Sequence, residues 1–216
     1  GWFWWIPFAG DLTSVGCVLH QRVVKARQVP IDRLFHDMVA ACPSVRHGLE
    51  RATQVTEVHR VANFSYRTAP AVGDRFVAIG DAVTFVDPIF SAGVYIAMQS
   101  AELVVQGVVD QFRFGDFRAT RLEPCRERIA RGTGVFVRLM ERYYDPAFMD
   151  VFFASRPPPV IGAAMRGVVT MVLAGGAFLH QSLWSRTWLG AMFLVARRAR
   201  HERRRRGVSV ESQLPW

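Results

Sequence analysis

Residues 79 to 94 read Ile79-Gly80-Asp81-Ala82-Val83-Thr84-Phe85-Val86-Asp87-Pro88-Ile89-Phe90-Ser91-Ala92-Gly93-Val94, and the reading of the fold starts from them. The stretch that leads in, RFVAIGD over Arg75 to Asp81, holds the continuous apolar run Phe76, Val77, Ala78 and Ile79. Such a run ending in Gly-Asp is the pattern of a buried parallel strand. From Ser91 the period becomes helical, with Val94, Ala97, Met98, Ala101, Val104, Val105 and Val108 on one stripe, which predicts that this face is packed. A strand, a loop of about ten residues and a helix opening on Ser-Ala-Gly together form a ligand-binding arrangement. Free N–H groups and the positive dipole end of the helix face the loop, favouring an anion or a ring that becomes negative on reduction. Gly93, lacking a Cβ, lets such a group come close. Asp81 sits where α/β proteins bind ligands and can accept hydrogen bonds from sugar-like hydroxyls.

On the N-terminal side, Trp2 to Phe8 and Thr13 to Val24 read as two strands joined through Ala9-Gly10-Asp11. Pro30-Ile31-Asp32 opens a helix with Ile31, Leu34, Phe35 and Met38 on one face, and a second helix is predicted over Ser44 to Ala52. Val55 to Arg67 is β-rich with mixed polarity, suiting a strand with one wet face, and Pro70 to Asp74 reads as a turn. After Gly115 the pattern is helical: Phe117 to Tyr144, Pro146 to Ala154, Val160 to Phe178 and Trp184 to Arg206. The fold class is therefore α/β in a mixed α+β arrangement, with strands first and an all-helical C-terminal region.

The chain has 216 residues, 50% of them hydrophobic, which excludes a disordered polymer. Of its net +9, the segment Arg197 to Arg206 alone supplies seven arginines against Glu202, so the remainder is no nucleic-acid-coating surface. Val160 to Phe178 is long enough to span a membrane. Arg166 within it costs about 2.5–3.5 kcal/mol near a bilayer centre, so a buried or interfacial helix is expected, with weak membrane-surface contact through the C-terminal helices. Cys17, Cys42 and Cys125 form no CxxC pair, which fits a reducing, cytoplasmic compartment and neither a disulfide framework nor a zinc site. No GxSxG or HExxH is present, and His20, His36, His47, His59, His180 and His201 share no ligand spacing, so no metal is expected. Asp81 and Asp87 lack the surrounding acid cluster of a glycosidase pair. The sequence opens on Gly1 without a signal-peptide pattern, and a chain beginning in mid-domain is expected.

The string GDAxxFxDPxFSxGV from Gly80 to Val94 resembles the second flavin-contacting motif of FAD-dependent monooxygenases of the p-hydroxybenzoate hydroxylase type, and most closely that of the flavin-dependent halogenases. Trp2-x-Trp4-x-Ile6-Pro7 matches the WxWxIP signature that separates those halogenases from the hydroxylases. Tyr143-Tyr144-Asp145-Pro146-Ala147-Phe148 and Val172-Leu173-Ala174-Gly175-Gly176 resemble, more loosely, the helical C-terminal region of halogenases acting on phenolic, pyrrolic or carrier-bound substrates.

The resemblance implies an enzyme that uses FAD, oxygen, halide and a separate flavin reductase to halogenate an electron-rich aromatic or pyrrolic substrate, free or carrier-bound. It implies that Asp81 binds the ribityl chain with Gly80 beneath it, and that the backbone of Pro88, Gly93 and Val94 lines the isoalloxazine. Amides around Ala92 and Gly93 would hold halide, and Trp2, Trp4, Ile6 and Pro7 would lie near the passage to substrate. Residues 1–74 would be the β-rich part of a substrate domain, 75–113 the end of the FAD-binding domain, and 114–216 the helical region. No GxGxxG is present. The catalytic lysine of the family belongs to the N-terminal part that also carries that motif, and Lys25, the single lysine here, is not at its position. A hydroxylase or prenyl reductase shares the Gly-Asp and helix-start logic, and WxWxIP argues against both. From a different class, a noncatalytic membrane-surface or nucleic-acid-binding protein built on the apolar and arginine-rich C-terminal segments is the competing reading, and the arginine run lacks the aromatic interleaving of nucleic-acid stacking.

Overall fold

The computed structural model describes residues 1–152, 167, 169–176, 178, 190, 191, 194, 197, 198 and 201. These residues form a mixed α/β structure of small antiparallel sheets and long helices, in two compact units, one built on Gly1–Ala62 and the other within Asn63–Ser209.

The first unit opens on a hairpin, β1 (Trp2–Pro7) paired with β2 (Thr13–Val18) in the register Trp2↔Val18 through Pro7↔Thr13. Gly10, at φ 80°, supplies the left-handed residue of its turn. Trp2 and Trp4 share one side of the ribbon, with ring centroids 6.2 Å apart, and the Trp4 indole N–H donates to Ser14 Oγ at 3.1 Å. The second strand stops at Val18, short of the expected Val24. His20 caps helix α1 (Gln21–Arg27) by accepting from the Arg22 N–H at 3.1 Å, so the cap overrides the β-branched pair Val23 and Val24. Helices α2 (Ile31–Ala41) and α3 (Pro43–Leu49) follow as expected, with Leu34 buried.

In the second unit the expected strands shrink. Val55 to Arg67 is not a strand: only β3 (Tyr66–Arg67) pairs, with β6 (Thr84–Phe85), and Val55 and Val61 stand in solvent. The expected turn over Pro70 to Asp74 instead contains β4 (Val72–Gly73), which pairs antiparallel with β5 (Phe76–Val77) across Asp74 and Arg75, the latter at φ 66°. The run Phe76 to Ile79 is therefore neither a long nor a parallel strand, and Phe76 is exposed. A parallel ladder needs neighbours joined by crossovers, and the described residues provide none.

Helix α4 (Gly93–Phe114) begins two residues later than its expected start, because Ser91 adopts φ 50°. Its packed side is Ile96, Ser100, Val104 and Gln111, while Val94, Met98 and Val105 of the predicted face are exposed. Helix α5 (Glu123–Tyr143) packs on α4 and buries Ile129, Val135, Phe136, Leu139, Met140 and Tyr143. It starts later than the expected Phe117, after a 3-10 turn over Ala119–Arg121, with Pro124 in its first turn. Helix α6 (Pro146–Phe152) begins on Pro146, with Asp145 Oδ1 accepting from the Ala147 N–H at 2.8 Å. The helices expected over Val160 to Phe178 and Trp184 to Arg206 lie largely outside the described residues. No helix among the described residues is long and apolar enough to cross a membrane.

Candidate functional site

The Gly-Asp motif folds as a 3-10 turn, Gly80–Ala82, packed on the first turns of α4. Gly80 is buried at φ 56°, and a Cβ there would lie 2.9 Å from the Ala97 Cβ, so the close approach of turn and helix requires glycine. Asp81 is exposed, and its backbone carbonyl accepts from the Tyr66 hydroxyl at 2.8 Å. Tyr66 in turn stacks on Phe85, with centroids 6.1 Å apart and planes 19° from parallel.

Asp87-Pro88 starts a second 3-10 turn, Pro88–Phe90, in which Asp87 Oδ1 accepts from the Ile89 N–H at 3.1 Å. The turn ends at Ser91 in a left-handed conformation, delivering the chain to Ala92 and the start of α4. No side chain caps α4. Its first-turn N–H groups and positive dipole end are thus left to whatever lies in front of them. Gly93 shows no backbone requirement for glycine: its φ is not positive, and the one atom within 4 Å of an added Cβ is Asp81 Oδ1, at 3.9 Å.

Asp81, Thr84, Phe85, Asp87, Pro88, Ala92, Gly93, Ile96 and Met140 line a cleft of about 30 Å³. A water needs roughly 10–15 Å³ of such space, so the cleft fits one or two waters or a monatomic ion and no ring system. Any flat cofactor must lie outside it, along the exposed edge of Pro88, Gly93 and Val94. A larger open groove of about 460 Å³, between Phe76, Phe112, Phe117 and Leu122, lies by the C-terminal half of α4 and lacks the convergent polar groups of the small cleft.

The sequence singles out Gly80, Asp81, Pro88, Ala92, Gly93 and Val94, and the second unit gathers all six around the start of α4. Trp2, Trp4, Ile6 and Pro7 belong to the first unit, where the two tryptophans are half-buried on β1 and Ile6 and Pro7 are exposed. Sequence reading missed Thr84, Met140 and Tyr144. The Tyr144 hydroxyl donates to Asp87 Oδ2, a contact across 57 residues. The neighbouring Tyr143 phenol packs edge-on against Phe90 at 5.8 Å, and burial, then the negative charge of Asp87, pushes its pKa up. Tyr95, pushed up by burial and then by Glu102, donates to the Gly175 carbonyl at 2.9 Å and packs on Phe136 and Phe178. Among the described residues no group of three or more His, Cys, Asp or Glu side chains is placed to hold a metal.

A Gly-Asp turn packed beneath an uncapped helix start is the half-site geometry expected of a flavoprotein. Residues 1–146 match the tryptophan halogenase family model, and the chain belongs to that family. It is 29% identical over 156 residues to the 1H-pyrrole-2-carbonyl-(peptidyl-carrier protein) chlorinase of Pseudomonas fluorescens, covering 72% of this chain and 35% of that protein. It is 33% identical over 168 residues to the flavin-dependent halogenase armH5 of Armillaria mellea, covering 72% of this chain and 32% of that protein. Among solved structures, a triple mutant of the flavin-dependent brominase Bmp2 matches with a TM-score of 0.67 and 26% identity, over 94% of this chain and 47% of the other. The chain thus spans about a third of the length of these curated relatives.

Proposed function

We propose that this chain carries the halide-side half of the flavin site of an FAD-dependent halogenase, an enzyme that halogenates an electron-rich aromatic or pyrrolic substrate, free or carrier-bound. The observation that carries the reading is Gly93, a glycine the backbone does not require, at an uncapped helix start that opens on an ion-sized cleft. Family membership supplies the chemistry: reduced flavin and oxygen together oxidise halide to an electrophilic halogen species.

The residues present fit one side of FAD. The exposed Asp81 carboxylate suits ribityl hydroxyls, each such hydrogen bond being worth about 1.5–3 kcal/mol with a charged acceptor. Buried Gly80 keeps its turn close against the helix, and Pro88, Gly93 and Val94 offer an exposed backbone edge. Ala92 and Gly93 present amides where halide gains from the helix dipole. Trp2, Trp4, Ile6 and Pro7 form an aromatic and apolar wall for the passage to substrate, screening the halogenating species from water. In domain terms, 1–74 serves the substrate, 75–113 completes the flavin-binding fold, and 114–216 is the helical region. The catalytic lysine and the diphosphate-binding turn come from sequence this chain does not contain. The enzyme works in the cytoplasm, with a separate flavin reductase as partner.

The test is halide dependence. A complete family enzyme containing this chain, given a flavin reductase, oxygen and a pyrrolic or phenolic substrate, is expected to yield product only with chloride or bromide. Hydroxylated product, formed at equal rates with and without halide, would assign the chain to a hydroxylase instead.

A further inference from the structure

Two carboxylates, Asp81 and Asp87, line the cleft in which the preceding reading, on which this inference rests, places a halide. A bare carboxylate a few ångströms from an anion opposes its binding by an amount comparable to the attraction of a helix start. Asp81 faces the exposed side, where cofactor hydroxyls reach it. Asp87 must be dealt with by the protein itself. Its Oδ1 is taken by the Ile89 N–H at 3.1 Å, and its Oδ2 by the Tyr144 hydroxyl at the end of α5.

We propose that Tyr144 is a positioning residue for halide: by donating to Asp87 Oδ2 it turns that carboxylate away from the cleft and draws its charge, so that the amides of Ala92 and Gly93 meet the anion unopposed. The geometry around it is built for this. Met140, one helical turn before Tyr144, supplies the α5 wall of the cleft, and Tyr143 packs on Phe90 of the same loop. Asp145, next in sequence, is held separately as the α6 cap, with Arg197 at 3.3 Å from its Oδ2, so it does not compete for the Tyr144 hydroxyl. The C-terminal helices thereby set the charge seen at the flavin-side loop, giving the Tyr-Asp-Pro segment a role that the resemblance leaves open.

Bromide is titrated into the ¹⁵N-labelled 216-residue chain at constant ionic strength, following the Ala92 and Gly93 amides, with thermal melts of every variant. The wild-type amide shifts should saturate. Tyr144→Phe should move the midpoint to about tenfold higher bromide, the scale of one uncompensated nearby charge. Asp87→Asn in that background should return the midpoint to within about twofold of wild type, since asparagine keeps the cap to Ile89 and removes the charge. In the complete enzyme the same pair should change the KM for bromide with kcat nearly constant. A Tyr144→Phe midpoint equal to wild type, or a double variant as weak as Tyr144→Phe, overturns the role of Tyr144 and leaves the halide cleft standing. Wild-type amides that bromide does not shift overturn the halide cleft, and the role of Tyr144 with it.

Discussion

The loop between β5 and α4 has a glycine near each end, and the two are there for opposite reasons. Gly80 is demanded by the fold: its backbone is left-handed and the Ala97 Cβ stands 2.9 Å from where a side chain would begin. Gly93 is demanded by nothing in the fold, since its φ is not positive and only Asp81 Oδ1 comes within 4 Å. A glycine whose absence of side chain is unused by the protein keeps space for something else, and that contrast separates the structural end of the loop from its binding end.

The contrast can be broken from several sides. Gly80→Ala should lower the unfolding free energy by about 2–5 kcal/mol, combining the left-handed backbone cost with overpacking against Ala97, as read from urea melts. A stability equal to wild type would mean that turn and helix are not packed as described. Asp81→Ala should weaken FAD binding to the complete enzyme by about 1.5–3 kcal/mol in a fluorescence titration, with little change in melting. Unchanged affinity would remove Asp81 from the cofactor. Asp145→Ala, which strips a helix cap away from the cleft, should cost about 0.5–2 kcal/mol of stability and leave bromide binding alone. A bromide effect as large as that of Tyr144→Phe would dissolve the distinction between the two Asp-Pro turns.

What the sequence makes legible follows the range of the interactions involved. The hairpin, α2, α3 and the Asp-Pro caps rest on contacts between near neighbours, so alternation, periodicity and cap residues suffice to find them. The stretch Phe76 to Ile79 looks like a buried strand because its composition is that of one, yet a strand needs a partner, and here only β4 pairs with it. The stripe from Val94 to Val108 is apolar, yet the face that packs is chosen by α5 and the Gly80 turn, and it runs through Ile96, Ser100 and Val104. In the site, Gly80, Asp81 and Gly93 are legible as one local string. Tyr144 is not, because its bond to Asp87 closes a loop of 57 residues that no local pattern announces.

The most direct measurement is made on Gly93→Val in a complete family enzyme containing this chain. Valine fills the space in front of the helix start while the backbone tolerates it, so the melting temperature should stay within a few degrees of wild type. Flavin oxidation by oxygen should continue near the wild-type rate, and halogenated product should fall by more than about 100-fold, the scale on which displacing a reactant from its site acts. Halogenation at the wild-type rate by a well-folded Gly93→Val enzyme would contradict the account.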